Sequence, residues 1–216
     1  MKKYIMLGVA LLVFASLQAQ NITEADNQLI NEGGAQTPMR VLQTTNPKDK
    51  MVLQTLSADV NLKDEMLPLL IQRMYSTVTD TLNPGVGIAA PQVGINKNVI
   101  WVQRFDKQGE PFEVYLNPKI TWQSALLRKG PEGCLSIPDI RGDVLRSYTI
   151  RITYYDKDGK YHDEIVEGFT AVIFQHEIDH LLGILFTDRL EQQEQKHYTP
   201  INGEVNLFLE KPLKRQ

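Results

Sequence analysis

Residues 168–183 read GFTAVIFQHEIDHLLG. The stretch suits one buried helix, with Thr170 as its expected N-cap and Gly183 as its stop. Inside this apolar run sit Gln175, His176, Glu177, Asp179 and His180, interrupted only by Ile178. Burying such groups without partners costs roughly 1–3 kcal/mol each. A metal ion would offset that. Helical positions i and i+4 share one face, so His176 and His180 reach a common ion. Glu177, next to the first histidine, is placed to take a proton from water. The competing reading is a chance HExxH whose histidines are paired core residues.

A catalytic metal needs a third protein ligand and an open position. The pattern that ends in a third histidine fails here, because Phe186 stands at that place. A downstream glutamate (Glu191, Glu194, Glu204 or Glu210) would have to come from a polar tail. The remaining strong ligand is Cys134, the only cysteine, in GPEGCLSIP. Its bland alternative is a small buried hydrophobe. Flanking Gly133 is expected to mark a special backbone or a close approach.

Outward from this centre, Asp64–Thr79 has helical spacing, with Pro68 tolerated in its first turn. NVIWVQR, EVYLNPKI, YTIRITYYD and HDEIVEG read as strands, the last two joined by a turn at Asp156-Lys157-Asp158-Gly159. Residues 20–36 look like a polar linker or weakly ordered arm, and 37–50 an extended segment with a turn at Asn46-Pro47. The tail begins helical and finishes as a short strand, NLFLE, after an Asn202-Gly203 turn. Helix, strands, helix in that order predict an α+β fold with mixed or antiparallel β-sheets around a central HExxH helix.

The N-terminus reads MKKYIMLGVALLVFASLQAQ. Lys2 and Lys3, an uncharged apolar run over 4–17 and a small residue at Ala19 form a secretory signal pattern. The run is short for the roughly 20 residues of a membrane span. The protein is therefore expected to be exported, periplasmic or secreted, and cytoplasmic only if the signal does not function. Membrane contact would come only through this segment. The expected division is 1–19 signal peptide, 20–36 arm, 37–190 catalytic domain and 191–216 tail. The whole chain has 216 residues, 42% hydrophobic, and a formal charge of −3 without a basic patch, which argues against nucleic-acid binding.

A third segment, GVGIAAPQVG at 85–94, offers a backbone nearly free of side chains, against which a peptide can pair as an added strand. Gln92 supplies an amide donor suited to a developing oxyanion. The segment is no phosphate loop, for it lacks the Lys-Ser/Thr and the third glycine.

GVGIAAPQ, EGCLS and QHEIDH, in this order, resemble the three signature motifs of peptide deformylases. YLNP at 115–118 and IPDIRGDVLR after EGCLS extend the resemblance over roughly residues 37–190. It implies an α+β metal-dependent amide hydrolase that removes the N-formyl group from formyl-methionyl peptides and releases formate. Its metal ligands would be Cys134, His176 and His180, holding Fe²⁺ most often, with Zn²⁺, Ni²⁺ or Co²⁺ as substitutes. Glu177 would be the general acid/base. Gln92 and the backbone N–H of Leu135 would hold the formyl oxygen, and Gly87 would anchor the substrate backbone. Val86, Phe169, Val172 and Ile173 would form the pocket for the methionine side chain, and a Glu132–Arg146 ion pair would fix the EGCLS segment.

The export signal departs from the family's usual cytosolic setting, and points to nascent or exported polypeptide N-termini as partners. A thiolate-bound Fe²⁺ is oxidation-sensitive there, which zinc or an anaerobic setting would ease. A monomer is expected. The alternatives are an idle binder of N-formyl peptides, a deacylase for another N-acyl peptide, and an HExxH protease, the last disfavoured by Phe186 and the cysteine motif.

Overall fold

A computed structural model describes residues 19–201 and 206–210. Positions 1–18 of the expected signal peptide and the expected Asn202-Gly203 turn lie outside them. The described chain is α+β, and its two sheets are antiparallel throughout. The first has five strands in the order β1 (Gly87–Ala89), β2 (Val99–Gln103), β3 (Phe112–Gln123), β6 (Thr149–Tyr155) and β7 (Tyr161–Glu167). The second has four, in the order β5 (Ile137–Ser147), β4 (Leu126–Cys134), β9 (Leu207–Glu210) and β8 (Tyr198–Pro200).

The helix α4 (Gly168–Leu181) lies between these sheets. The run VIWV in β2 is apolar at every position because both of its faces are covered. Ile100 and Val102 pack with Phe174 and Ile178 of α4. Val99 and Trp101 pack on the other side against α3 (Leu67–Val78), where Leu70, Met74 and Val78 are buried. Strand β6 covers one face only, so Ile150, Ile152 and Tyr154 alternate inward toward α4. A third core joins α2 (Pro47–Leu53) and α5 (Phe186–Glu194) through Leu53, Ile137, Val144 and Phe186.

Several local expectations are corrected. Thr170 does not cap α4; Glu167 is the N-cap, without a side-chain bond, and Thr170 is buried in the first turn. Residues 20–36 are not a weakly ordered arm: α1 (Glu24–Asn31) carries a full capping box between Thr23 and Asp26 and buries Ile30. Buried Arg73 of α3 donates to the carbonyls of Leu29 and Ile30 and ties α1 down. Asn46-Pro47 starts a helix rather than a turn, since the Asn46 side chain accepts from the N–H groups of Lys48 and Asp49. Gly133 has an ordinary φ, and a Cβ there would meet Arg141 only at 3.6 Å, so neither conformation nor crowding requires glycine. At Gly183 the expected stop is present. Its φ is +71°, and a Cβ would sit 2.5 Å from the Gln54 carbonyl oxygen.

Candidate active site

The polar residues of α4 each take a different partner. Gln175 reads the backbone of β5 like an extra strand residue: it accepts from the Ser147 N–H at 3.0 Å and donates to the Ser147 carbonyl at 2.8 Å. Asp179 faces Arg146 and Arg189 at once. Burial alone would raise its pKa, but the two guanidiniums hold it below the ordinary carboxylate value. The helix is thereby bolted to the sheet that ends in Cys134.

On its other face α4 presents His176 and His180 toward Cys134, at the end of β4. The three donor groups lie within 4.8 Å of one another. Cys134 Sγ is 3.2 Å from His180 Nε2. His176 Nδ1 meets a Glu132 carboxylate oxygen at 2.9 Å, which leaves Nε2 toward the sulfur. Glu132 also takes two hydrogen bonds from Arg146, at 2.8 and 3.0 Å. Burial pushes the Glu132 carboxyl up, yet Arg146 and His176 outweigh it and hold the pKa at about 2. An ionised Glu132 fixes the His176 ring and its tautomer, as carboxylates do behind metal-bound histidines.

Burial alone would raise the Cys134 thiol, but the imidazoles of His180 and His176 pull it well below its ordinary value. Thiolate is the form that binds metals. Three soft-to-borderline donors within 4.8 Å of one another suit a tetrahedral divalent ion, and three protein ligands are the catalytic rather than the structural count. His180 Nδ1 is buried and has no hydrogen-bond partner among the described residues, so no local acceptor competes for the ring's orientation. The site fits a bound divalent metal.

Glu177 projects beside this cluster. Its Oε2 is buried without a partner among the described residues, and burial raises its pKa to about 7. Such a carboxyl both accepts and returns a proton near neutral pH. Against it lies Gly87, where a Cβ would stand 2.5 Å from Glu177 Oε1. Gln92, in the single 3-10 turn after β1, accepts from the Ala89 N–H at 2.9 Å through Oε1. That contact fixes the amide, so its NH₂ faces Cys134 Sγ at 3.5 Å and Ser136 Oγ at 3.3 Å.

These groups line a cleft of about 1150 Å³, enough for a short peptide segment, with Leu135, Val86, Phe169, Val172 and Ile173 along its walls. The structure gathers every site residue expected from the sequence within this cleft or directly behind it, His180 and Arg146 being behind.

Sequence reasoning missed the segment that straps the site. The Leu42 N–H donates to the Gln92 carbonyl at 2.8 Å, Gln43 Nε2 to the Leu135 carbonyl at 2.9 Å, and the Thr44 N–H to the Ser136 carbonyl at 2.9 Å. Asp49 anchors the strap through Arg40 and the Gln43 N–H. No local pattern announces a partner about 90 residues away. Arg189 was missed for the same reason, although it follows the motif helix closely. Ser136 stood inside a quoted motif, and its short polar side chain next to Cys134 was a readable signal.

A family model described as "Polypeptide deformylase" matches residues 39–196. A peptide deformylase of Caulobacter sp. (strain K31) is 41% identical over 154 residues, covering 71% of this chain and 88% of the relative. One of Leptospira biflexa is 37% identical over 162 residues, covering 70% and 87%. Among solved structures, a Met-Ala-Ser-bound class I type b peptide deformylase of Acinetobacter baumannii superposes with a TM-score of 0.63 at 36% identity, covering 71% of this chain and 99% of that one. The enzyme of Thermotoga maritima gives a TM-score of 0.63 at 36% identity, covering 70% and 97%.

Proposed function

The chain belongs to the polypeptide deformylase family, a family of metal-dependent hydrolases that remove the N-formyl group of formyl-methionyl peptides, and from that premise we propose the roles its own residues play. The observation that carries the assignment is the convergence of Cys134, His176 and His180 beside a buried, unpaired Glu177 carboxyl oxygen.

Cys134, His176 and His180 would hold the ion, which would supply Lewis acidity toward the formyl oxygen and lower the pKa of water. Gly87, packed against Glu177 without a side chain between them, anchors the substrate backbone. The Glu177 carboxylate takes a proton from the attacking water and returns it to the departing amide nitrogen. As the formyl oxygen gains charge, the Gln92 NH₂ and the Leu135 N–H donate to it. Formate and a free amine result. Val86, Phe169, Val172 and Ile173 receive the first side chain, and the rest of the peptide extends along the cleft, as suits a relative whose Acinetobacter structure holds Met-Ala-Ser. The Glu132–Arg146 pair holds the turn between β4 and β5 that carries Leu135.

Iron(II) is the proposed native ion, with zinc as the oxidation-resistant substitute. Export, with cleavage after Ala19, is the proposed setting, and formylated N-termini outside the cytoplasm are the proposed substrates. The supporting observation is that the fold takes hold of the chain at Gln20: its N–H donates to the Asp59 carbonyl at 2.8 Å and its carbonyl accepts from the Asn61 N–H at 3.0 Å. A monomer is proposed.

The test is formate release from a formyl-Met tripeptide by the chain starting at Gln20, loaded anaerobically with Fe²⁺ or, in parallel, with Zn²⁺. Glu177→Ala should bind one ion per chain and lose activity by a factor on the order of 10³. Full activity in that variant would overturn the role of Glu177. Metal bound without turnover in the parent would favour a binding protein for formyl peptides, or a different acyl group. Export is checked by fractionating cells and sequencing the N-terminus; a cytoplasmic chain retaining Lys2 and Lys3 would refute it.

A further inference from the structure

Phe169 is the one aromatic side chain on the wall that receives the first residue of the substrate, and it stands at the rim, 41% exposed. A rim phenylalanine with free neighbours would swing about χ1. This one touches two residues that do not themselves line the cleft. The Phe105 ring lies 5.3 Å from it at a 47° tilt. The Arg128 guanidinium lies over the Phe169 ring, 5.5 Å from its centroid. Both contacts are directional, so together they select one ring orientation.

Each holder is itself fixed, and by a different sheet. Phe105 follows β2, between Arg104 and Asp106, which bond to one another through two hydrogen bonds of 2.8 and 2.7 Å. Arg104 is buried and also meets Glu164 and the Tyr115 hydroxyl, so the backbone on either side of Phe105 is pinned to the first sheet. Arg128 lies in β4, paired with Arg146 of β5 on one side and with Leu207 of β9 on the other.

We propose that Phe105 and Arg128 act as positioning residues that set first-residue selectivity, by clamping Phe169 into a wall of fixed place. The proposal rests on the pocket assignment made above. A wall that cannot move admits the flexible, unbranched methionine side chain and penalises an aromatic one. A wall that can swing loses that discrimination.

The experiment compares kcat/KM for formyl-Met-Ala-Ser and formyl-Phe-Ala-Ser in the metal-loaded protein. Phe105→Ala and Arg128→Gln should each raise the Phe-to-Met ratio roughly fivefold, the size expected when a pocket wall loosens. Phe105→Tyr keeps the ring and should restore the parent ratio. Ile173→Ala, which alters the pocket directly, is the control. Partial unfolding cancels, because both substrates report on the same folded fraction. Ratios within about twofold of the parent in both clamp variants, with a shift in Ile173→Ala, would overturn the clamp and leave the pocket standing. No shift in any variant, Ile173→Ala included, would overturn the pocket assignment and the clamp with it.

Discussion

Gly87 shows how a single hydrogen atom in place of a methyl group supports the chemistry. Its Cα faces Glu177 Oε1 so closely that a Cβ would lie 2.5 Å away, and the Ile173 methyl blocks the other exit at 2.9 Å. Gly87→Ala must therefore move the carboxylate. A misplacement of about 1 Å costs on the order of 10²-fold in rate, so kcat/KM should fall at least that far while bound metal and far-UV circular dichroism stay as in the parent. Retained activity would mean that Glu177 has room the structure does not show. At this scale the sequence was most readable. The i, i+4 histidines sit on one helix by geometry, and a lone cysteine is conspicuous. Gln43 and Arg189 gave less away than Ser136, which stood inside a quoted motif. Both act through contacts that tertiary folding creates, so no neighbour in sequence marks them.

Among the elements, the strap from Met39 to α2 depends on one carboxylate. Asp49 receives two bonds from Arg40 and one from the Gln43 N–H, and its own N–H donates weakly to the Asn46 cap. Chiefly the Arg40 bonds, then that of Gln43, lower its pKa from 3.8 to about 2. A depressed carboxyl stabilises the fold in full above its unfolded value and stops doing so as pH falls through its folded value. The urea midpoint of the parent should therefore exceed that of Asp49→Asn at pH 6, and the gap should close between about pH 4 and 2. An unchanging gap would show that the charge of Asp49 is not what holds the strap. The strap and its helix were hard to read beforehand because Asn-Pro is equally a turn signal and a helix start. Strands β4 and β5 were missed because LLRKGPEGC and IPDIRGDVLRS carry glycine, proline and charge. Their strand character comes from pairing with each other along the register Leu127–Ser147 to Cys134–Ile137, not from intrinsic preference.

Across the whole molecule, the fold class followed from the order of helix, strands and helix, while the division into two sheets did not. The tail, expected only as a polar appendage ending in a short strand, supplies β8 and β9 to the second sheet. There β9 covers the backbone of β4 at Leu126, Leu127 and Arg128. Deleting residues 198–216 would expose that edge, and exposed edges template aggregation. The melting temperature should drop by roughly 5 °C, with light scattering rising on heating. An unchanged melt would show that β4 is held sufficiently by β5.

The pairing of β4 with β9 also has a consequence in time. Its partners, 126–128 and 207–209, stand some 80 residues apart in the chain. Synthesis delivers residues from the N-terminus at about 5–20 per second. The strand that bears Cys134 at its end is thus left with an open side until residues 207–209 have emerged. Under the export proposed above, the chain would stay unfinished, and so threadable, until β9 is made.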